Sequence, residues 1–424
     1  IKSALIQAEE DNVDDELNTA WTIETARGTV IAVILFLGAP FIASLFNEPA
    51  ATDLFRVIAL SPFIVGLRNP AVVYFQKSLD FHKEFVYRVS GAVAYFVVTV
   101  GIALYEPTVY ALAIGFIAGD AARFLVSYIA DGYRPWPSFD LDVAKKRYSF
   151  GKWVTANSIL YFLYSRGDDA FVGWALMASA LGFYQLAYRL SNAPATEITQ
   201  TISSVTFSAY SKVQNDIEKL RSGYFQTLRM TTLASFPAAM GIAAVAPAFV
   251  EAFFTPEWQP MIPVMQLLAI YGLLRSMGAT MGPVWKAVGR PDYIAKLSAV
   301  RVTLIAIFIY PTTMMYGIEG TAAVITGIYI FPMMPIDTYL IARTVGTSPV
   351  RVLREVSYPL VASLGMAAAV TYVYQTVTLN APVLEFILLI LVGIGVYVAL
   401  ALALMFSFNW EVKQNLESIF DALA

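Results

Sequence analysis

Long apolar segments separated by short polar connections make up most of the chain. A helix needs about 20 mostly apolar residues to cross a hydrocarbon layer of roughly 30 Å, whereas an outer-membrane barrel is built from alternating segments of roughly ten. The acidic N-terminal segment, residues 1–15, contains no apolar stretch typical of a signal peptide. We therefore predict an all-α integral membrane protein with twelve spans. Their approximate bounds are 20–46, 54–75, 89–105, 108–130, 153–175, 181–209, 223–253, 260–285, 297–316, 318–342, 356–376 and 382–408.

The positive charges between the spans predict the orientation of the chain. Nineteen of the 28 Lys and Arg residues lie in alternate connections and at the two ends, and the intervening connections contain none. Those without cations lie near 47–53, 106–107, 176–180, 254–259, 317 and 377–381. Because cationic loops are retained in the cytoplasm during insertion, we expect a multi-pass protein of the cell (cytoplasmic or inner) membrane with both ends of this chain in the cytoplasm.

Two segments of the chain resemble one another and predict an internal repeat. Residues 38–46 are similar to residues 245–253 at an offset of 207, and residues 56–60 are similar to residues 266–270 at an offset of 210. A chance likeness between apolar helices is the alternative. The repeat implies two parallel six-helix lobes. It also places Arg68 and Arg275 at nearly equivalent positions, where two cations could face a common cleft.

The repeat also predicts how the chain divides. The first two spans of the second lobe have no partners in the first, so we expect two further helices before Ile1, in an N-terminally truncated form of a fourteen-span protein. Residues 1–130 would be the remainder of the N-lobe with four spans, and residues 131–152 a cytoplasmic connection containing a short interfacial helix. Residues 153–342 would be the C-lobe with six spans, residues 343–408 two additional spans, and residues 409–424 a cytoplasmic tail.

Composition supports a lipid-embedded chain and excludes several kinds of site. Hydrophobic residues make up 58% of the 424 residues and charged residues 14%, compared with about 25% charged residues in soluble proteins. Cysteine is absent and His82 is the only histidine, which excludes disulfides, thiolate nucleophiles and zinc or iron–sulfur sites. The net charge of −3 does not favour nucleic acid. With no P-loop, haem or dinucleotide motif, we predict no catalytic residue, no metal, no cofactor and no enzymatic activity.

Nine arginines and no lysines lie inside the predicted spans, where a charge costs about 3 kcal/mol or more. A guanidinium stays charged and offers a fork of donors that fits phosphate oxygens. Arg189 could pair with Glu197. Three arginines near span ends are expected to reach the lipid headgroups, namely Arg56, Arg123 and Arg229. The deeper candidates for binding a phosphate or pyrophosphate are Arg27, Arg68, Arg166, Arg275 and Arg301, and structural ion pairing is the alternative for each.

Acidic residues inside the spans could bind a coupling cation or form structural ion pairs. Glu24 lies three residues before Arg27, a spacing at which the two charges can neutralise one another on a helix. The segment Arg166-Gly-Asp-Asp169 is the densest charge cluster within a span. We regard Glu24, Asp168 and Asp169 as candidates for either role.

Several segments resemble the oligosaccharide flippases of the polysaccharide transporter family. The run from Gly167 to Leu190, GDDAFVGWALMASALGFYQLAYRL, is similar to a GD…VG…LG…LAYR stretch of that family. Residues 17–21, 75–81 and 282–292 also resemble it. The resemblance extends over essentially the whole chain, and it is fairly specific for the Wzx-like branch of the multidrug/oligosaccharidyl-lipid/polysaccharide superfamily. It implies a fourteen-helix transporter fold.

This resemblance implies a function and its partners. The expected function is translocation of a polyprenyl-(pyro)phosphate-linked oligosaccharide across the cytoplasmic membrane by alternating access, for the synthesis of surface polysaccharide. The expected partners are the lipid-linked oligosaccharide, membrane lipids and glycan polymerase or assembly proteins, without nucleic acid and with the chain as a monomer. A cation-coupled exporter of small drugs from the same superfamily is one alternative, and a scaffold for glycan assembly that transports nothing is another. The glycan, the polyprenyl carrier and the driving force are left open.

Overall fold

A computed structural model describes residues 14–77, 80–377 and 379–407 of the chain. These residues form helices and connections, and no strand occurs among them. The predicted tail, residues 409–424, lies outside this described part. The chain divides between Ser165 and Arg166 into two compact units.

Unit 1 contains the first six helices and the beginning of the seventh. The helices are α1 (Asp14–Leu45), α2 (Thr52–Ile58), α3 (Leu60–Gly66), α4 (Val73–Lys77), α5 (Phe81–Tyr105), α6 (Val109–Ile129) and α7 (Leu141–Val213), which continues into unit 2. Residues 131–140 have no regular secondary structure, and α7 then begins at Leu141. The expected short interfacial helix does not form a separate element, because the helix that begins at Leu141 continues without a proline as far as Met177.

Unit 2 contains the remainder of α7 and the last six helices. These are α8 (Ile217–Phe253), α9 (Met261–Ala287), α10 (Pro291–Ile328), α11 (Met334–Thr344), α12 (Pro349–Thr376) and α13 (Pro382–Ser407), with a short π-helical segment between α10 and α11. The largest core of this unit lies between α8 and α9, where Leu220, Leu228 and Met281 are fully buried. A second core joins the same two helices to α7.

Two of the long helices reverse direction at a single residue. Gly317 of α10 has φ +59° and ψ −143°, and the hydroxyls of Thr313 and Thr321 on either side of it lie 2.7 Å apart. Residues eight apart in a continuous helix would be separated by about 12 Å. Met177 of α7 likewise has φ 73° and ψ 172°. Each of these two helices therefore consists of two antiparallel arms.

The arms bring the number of spans close to the expected one. Ten helical stretches of the described residues are long and apolar enough to cross a membrane, and two of them contain the reversals at Met177 and Gly317. These two reversals lie where the sequence predicted connections, near 176–180 and 317. The chain is an all-α multi-pass membrane protein.

One predicted span is interrupted in the structure. The stretch 54–75 was expected to be a single helix, but α2 ends at Ile58, α3 ends at Gly66 and a short 3-10 turn begins at Pro70. Pro62 lacks the N–H that would bond to the carbonyl of Ile58, and Pro70 ends any helix before it. This interruption places Arg68 in a non-helical connection.

One helix crossing in each unit supports the internal repeat. In unit 1, α1 and α3 cross at Gly28 and Gly66, and a Cβ atom added to Gly66 would lie 2.7 Å from the carbonyl oxygen of Glu24. In unit 2, α8 and α9 cross where the hydroxyls of Ser235 and Ser276 lie 2.8 Å apart. These serines follow the two glycines at offsets of 207 and 210, the same offsets as in the repeated segments. The matched positions are thus small residues at equivalent crossings.

Candidate functional site

The connection between α3 and α4 fixes the backbone around Arg68 in unit 1. The carbonyl of Leu67 accepts hydrogen bonds from the indole of Trp21 at 3.3 Å and the hydroxyl of Tyr128 at 2.9 Å. Asn69 is fully buried, and its side chain caps the next turn by accepting from the amide of Ala71 at 3.0 Å. The backbone on both sides of Arg68 is therefore anchored, which directs its side chain toward α6.

Two guanidinium groups share one buried carboxylate at this place. Arg68 lies 2.7 Å from Oδ1 of Asp120, and Arg123 lies 3.3 Å from the same oxygen. The hydroxyl of Ser61 donates to the other oxygen of Asp120, whose side chain is only 5% exposed. We call Arg68, Asp120 and Arg123 the unit 1 cluster. Two positive charges and one negative charge give it a net positive charge.

Gly91 of α5 provides the space for this cluster. A Cβ atom at this position would overlap the guanidinium of Arg123. The hydroxyl of Tyr87, one turn earlier on α5, accepts a hydrogen bond from Arg68 at 3.4 Å. One residue of the cluster thus requires a glycine on the neighbouring helix, and another is oriented by a tyrosine on it.

Arg275 of α9 is the candidate arginine of unit 2 with the fewest charged partners. Its guanidinium donates to the hydroxyl of Tyr188 at 3.2 Å and to that of Thr196 at 2.6 Å, and Tyr271 is a further hydrogen-bond partner. Among the described residues, no carboxylate forms a salt bridge with it. The side chain is half-buried. Neutral hydroxyls therefore orient the guanidinium without neutralising its charge.

Tyrosine rings continue from Arg275 to a second arginine. The ring of Tyr271 packs edge-on against Tyr329 with centroids 4.9 Å apart, and the guanidinium of Arg301 lies over the ring of Tyr329 at 4.1 Å. Arg301 is 9% exposed and lies 3.7 Å from the carboxylate of Asp337. We call Arg275, Tyr188, Tyr271, Tyr329 and Arg301 the unit 2 cluster. Of its two cations, Arg301 has a carboxylate neighbour and Arg275 has none among the described residues.

The other two candidate arginines are exposed and pair within their own helices. Arg27 lies 2.5 Å from Glu24, with 55% of its side chain exposed. Arg166 lies 3.1 Å from Asp169, with 59% of its side chain exposed. Both pairs have the i, i+3 spacing that the sequence indicated. Glu24 and Asp169 therefore form ion pairs, the alternative stated for them above. Arg27 and Arg166 belong to neither the unit 1 cluster nor the unit 2 cluster.

Asp168 has a different environment from its neighbour. Its carboxylate accepts a hydrogen bond from the hydroxyl of Tyr184 at 2.8 Å, across the reversal at Met177. In the described part of the chain, no group of three or more Asp, Glu or His side chains could hold a metal ion. Asp168 thus ties together the two arms of α7.

The expectation that Arg229 reaches the lipid headgroups is wrong. Arg229 is 5% exposed and forms two hydrogen bonds with Glu355 of α12, at 2.7 and 3.0 Å. Sequence reasoning assigned no role to Glu355, which lies 126 residues further along the chain. The carboxylate of Glu355 accepts two hydrogen bonds from the guanidinium. Arg229 is therefore paired inside the protein, which is more favourable than extending to the lipid headgroups.

Sequence reasoning also missed most of the partners of the candidate arginines. Asp120 was recognised as an acidic residue within a span, but not as the partner of Arg68. Tyr188 lies in the LAYR motif immediately before Arg189, and nothing in the spacing linked it to Arg275.

A cavity of about 370 Å³ lined in part by Glu251, Tyr374 and Glu385 is acidic and therefore unsuited to a phosphate.

Comparison with known sequences identifies relatives in polysaccharide synthesis. A family model described as polysaccharide biosynthesis protein matches residues 1–263. The chain is 31% identical over 291 residues to the lipopolysaccharide biosynthesis protein WzxC of Escherichia coli strain K12, over 68% of this chain and 59% of WzxC. It is 25% identical over 350 residues to the teichuronic acid biosynthesis protein TuaB of Bacillus subtilis strain 168, over 80% of this chain and 70% of TuaB. The match thus spans less than two thirds of WzxC.

Comparison with solved structures concerns the fold. The chain superposes on the lipid II flippase MurJ in its inward closed conformation with a TM-score of 0.77. The match covers 96% of this chain and 88% of the MurJ chain at 15% sequence identity. The two chains therefore share a transporter fold.

Proposed function

The chain belongs to the polysaccharide biosynthesis protein family, and from this premise we propose that it moves a polyprenyl-(pyro)phosphate-linked oligosaccharide across the cytoplasmic membrane. One observation carries the proposal: Arg275 lies within a membrane-spanning helix, is oriented by hydroxyl groups and has no carboxylate partner among the described residues. A charge in such a helix costs about 3 kcal/mol or more. A phosphate that enters the protein would neutralise this charge.

The unit 1 cluster supports the same chemistry. Its two guanidiniums and one carboxylate leave one positive charge uncompensated, with 34% of the Arg123 side chain and 17% of the Arg68 side chain exposed. Arginine suits a phosphate group because its planar donors match two oxygens at once. Among the described residues, each unit thus has one positive charge that no carboxylate compensates, and we propose Arg68 and Arg275 as the principal phosphate ligands.

Transport by alternating access requires no covalent step. The substrate would enter and leave unchanged, so the proposal includes no enzymatic activity. The tyrosines of the unit 2 cluster can pack against sugar rings and offer hydroxyl groups for hydrogen bonding. The apolar exteriors of both units would remain in contact with lipid, as would the polyprenyl tail.

The orientation and partners follow from the same proposal. Connections that contain arginine and lysine would lie in the cytoplasm, where the lipid-linked oligosaccharide is made available. The protein would act as a monomer in the cytoplasmic membrane and deliver its substrate to glycan polymerase or assembly proteins.

Complementation tests this function. The protein is expressed in a strain that lacks its own lipid-linked oligosaccharide flippase and supplies the native substrate, and surface polysaccharide is measured together with drug efflux. We expect polysaccharide to be restored by the wild type and lost with Arg275→Gln, whereas Arg189→Gln, which changes an exposed arginine of α7, restores it. Failure to restore polysaccharide, with or without drug efflux, would overturn the proposal, as would equal restoration by Arg275→Gln, the result expected of a scaffold.

A further inference from the structure

Helix α8 contains two prolines, Pro237 and Pro247. A proline inside a helix has no N–H to donate, so the carbonyl four residues before it loses its usual partner. The two carbonyls released in this way belong to Leu233 and Ala243. A carbonyl left without a partner in a membrane interior costs several kcal/mol, so each must be satisfied by another group.

Neighbouring helices satisfy both carbonyls with side chains. The hydroxyl of Tyr397 on α13 donates to the carbonyl of Leu233 at 2.7 Å. The side-chain amide of Gln266 on α9 donates to the carbonyl of Ala243 at 3.2 Å. Both proline positions of α8 are thus bonded from outside the helix, and by two different helices.

These two hydrogen bonds differ from those within a helix in one important respect. An internal helical hydrogen bond moves with the helix, whereas a bond from α13 or α9 ties the bend of α8 to the position of another helix. The same face of unit 2 also holds α12, since Arg229 of α8 pairs with Glu355 of α12. Helices α12 and α13 in turn pack closely, with a Cβ atom at Gly365 lying 2.6 Å from Leu400. A change in the bend of α8 would therefore move these two helices.

We propose that Pro237 and Pro247 are hinges of α8, and that Tyr397 and Gln266 are positioning residues that lock them by bonding to the carbonyls of Leu233 and Ala243. Release of Tyr397 frees the first hinge, and release of Gln266 frees the second. This inference concerns the bending of unit 2 and does not depend on the identity of the transported substrate.

Amide hydrogen exchange followed by mass spectrometry on the purified protein tests the proposal. Tyr397→Phe removes one oxygen atom and leaves the ring in place. We expect exchange in peptides covering residues 233–241 to rise about five-fold, which is the effect of losing one net hydrogen bond, with little change over residues 243–251. Gln266→Leu should produce the converse pattern. Tyr372→Phe, on a tyrosine that is 68% exposed on α12, is the matched control and should change neither region.

Restoration of the missing donor provides the decisive comparison. Pro237→Ala supplies an N–H to the carbonyl of Leu233, so adding Tyr397→Phe to this variant should no longer raise exchange over residues 233–241. The proposal would be overturned by an equal effect of Tyr397→Phe with and without Pro237. It would also be overturned if Tyr397→Phe resembled Tyr372→Phe, or if Tyr397→Phe and Gln266→Leu both raised exchange uniformly along the chain, as general destabilisation would.

Discussion

Glu355→Gln should strongly destabilise the protein, because it removes the negative charge that pairs with the buried guanidinium of Arg229. Both side chains are nearly inaccessible, with 6% of Arg229 and 12% of Glu355 exposed, and two hydrogen bonds of 2.7 and 3.0 Å join them. Removing one partner of such a buried pair costs about 3–5 kcal/mol. The folded-to-unfolded ratio should therefore fall by at least about two powers of ten.

Removing both charges should have a much smaller effect. Apolar side chains of similar volume often replace a buried ion pair at no cost or with a gain of about 1–4 kcal/mol, so the double variant Arg229→Met/Glu355→Leu should recover most of the stability lost in Glu355→Gln. The assay is reversible unfolding of the purified protein in detergent, followed by intrinsic fluorescence.

An exposed ion pair provides the control. Lys296 lies 2.9 Å from Asp292, with 73% of the lysine side chain exposed, and exposed pairs contribute little because water screens them. Lys296→Gln should therefore unfold close to the wild type. If Glu355→Gln also unfolds close to the wild type, or if the double variant is less stable than Glu355→Gln, the reasoning about the buried pair is refuted.

Three further variants test the local geometry. Gly66→Ala should cost about 1–3 kcal/mol of unfolding free energy by overpacking against α1, whereas Gly38→Ala, where no atom lies within 4 Å of the new Cβ, should cost nothing; equal effects would contradict the crossing described. Met177→Gly should stabilise the protein by about 1 kcal/mol, because φ 73° with ψ 172° favours glycine, and an unfolding midpoint below that of the wild type would refute this. Hydrogen bonds from Lys219 lower the pKa of Asp216 below its ordinary value of 3.8. The stability that the ionised carboxylate contributes is therefore present above pH 3.8 and is lost as the pH falls through the lowered pKa. Asp216→Asn should remove this part of the acid dependence in a pH series of unfolding midpoints.

The spans could be predicted from the sequence because membrane insertion depends on the length and composition of local segments. The chain reverses at the single residue Gly317 without a polar loop. The connection near 317 could still be predicted, because the apolar segments on either side of it are each long enough to span a membrane. The interruption of the predicted span 54–75 was harder to predict, because prolines are common in membrane helices and their effect depends on the neighbouring helices.

The candidate site divides in the same way between local and distant contacts. The pairs of Arg27 with Glu24 and of Arg166 with Asp169 follow from a three-residue spacing on one helix. The pair of Arg68 with Asp120 joins residues 52 positions apart. Such a contact depends on which helices become neighbours in three dimensions, and one sequence does not contain that information.

The rate of leaflet transfer in proteoliposomes tests the central claim most directly. The substrate is a fluorescent polyprenyl-diphosphate oligosaccharide, and the proteins are the wild type, Arg275→Gln and Arg189→Gln. Losing a hydrogen-bonded contact with a charged phosphate costs about 1.5–3 kcal/mol, so transfer by Arg275→Gln should fall about 10- to 100-fold, whereas Arg189→Gln keeps the wild-type rate. Transfer by Arg275→Gln at the wild-type rate would contradict the claim that this guanidinium binds the phosphate.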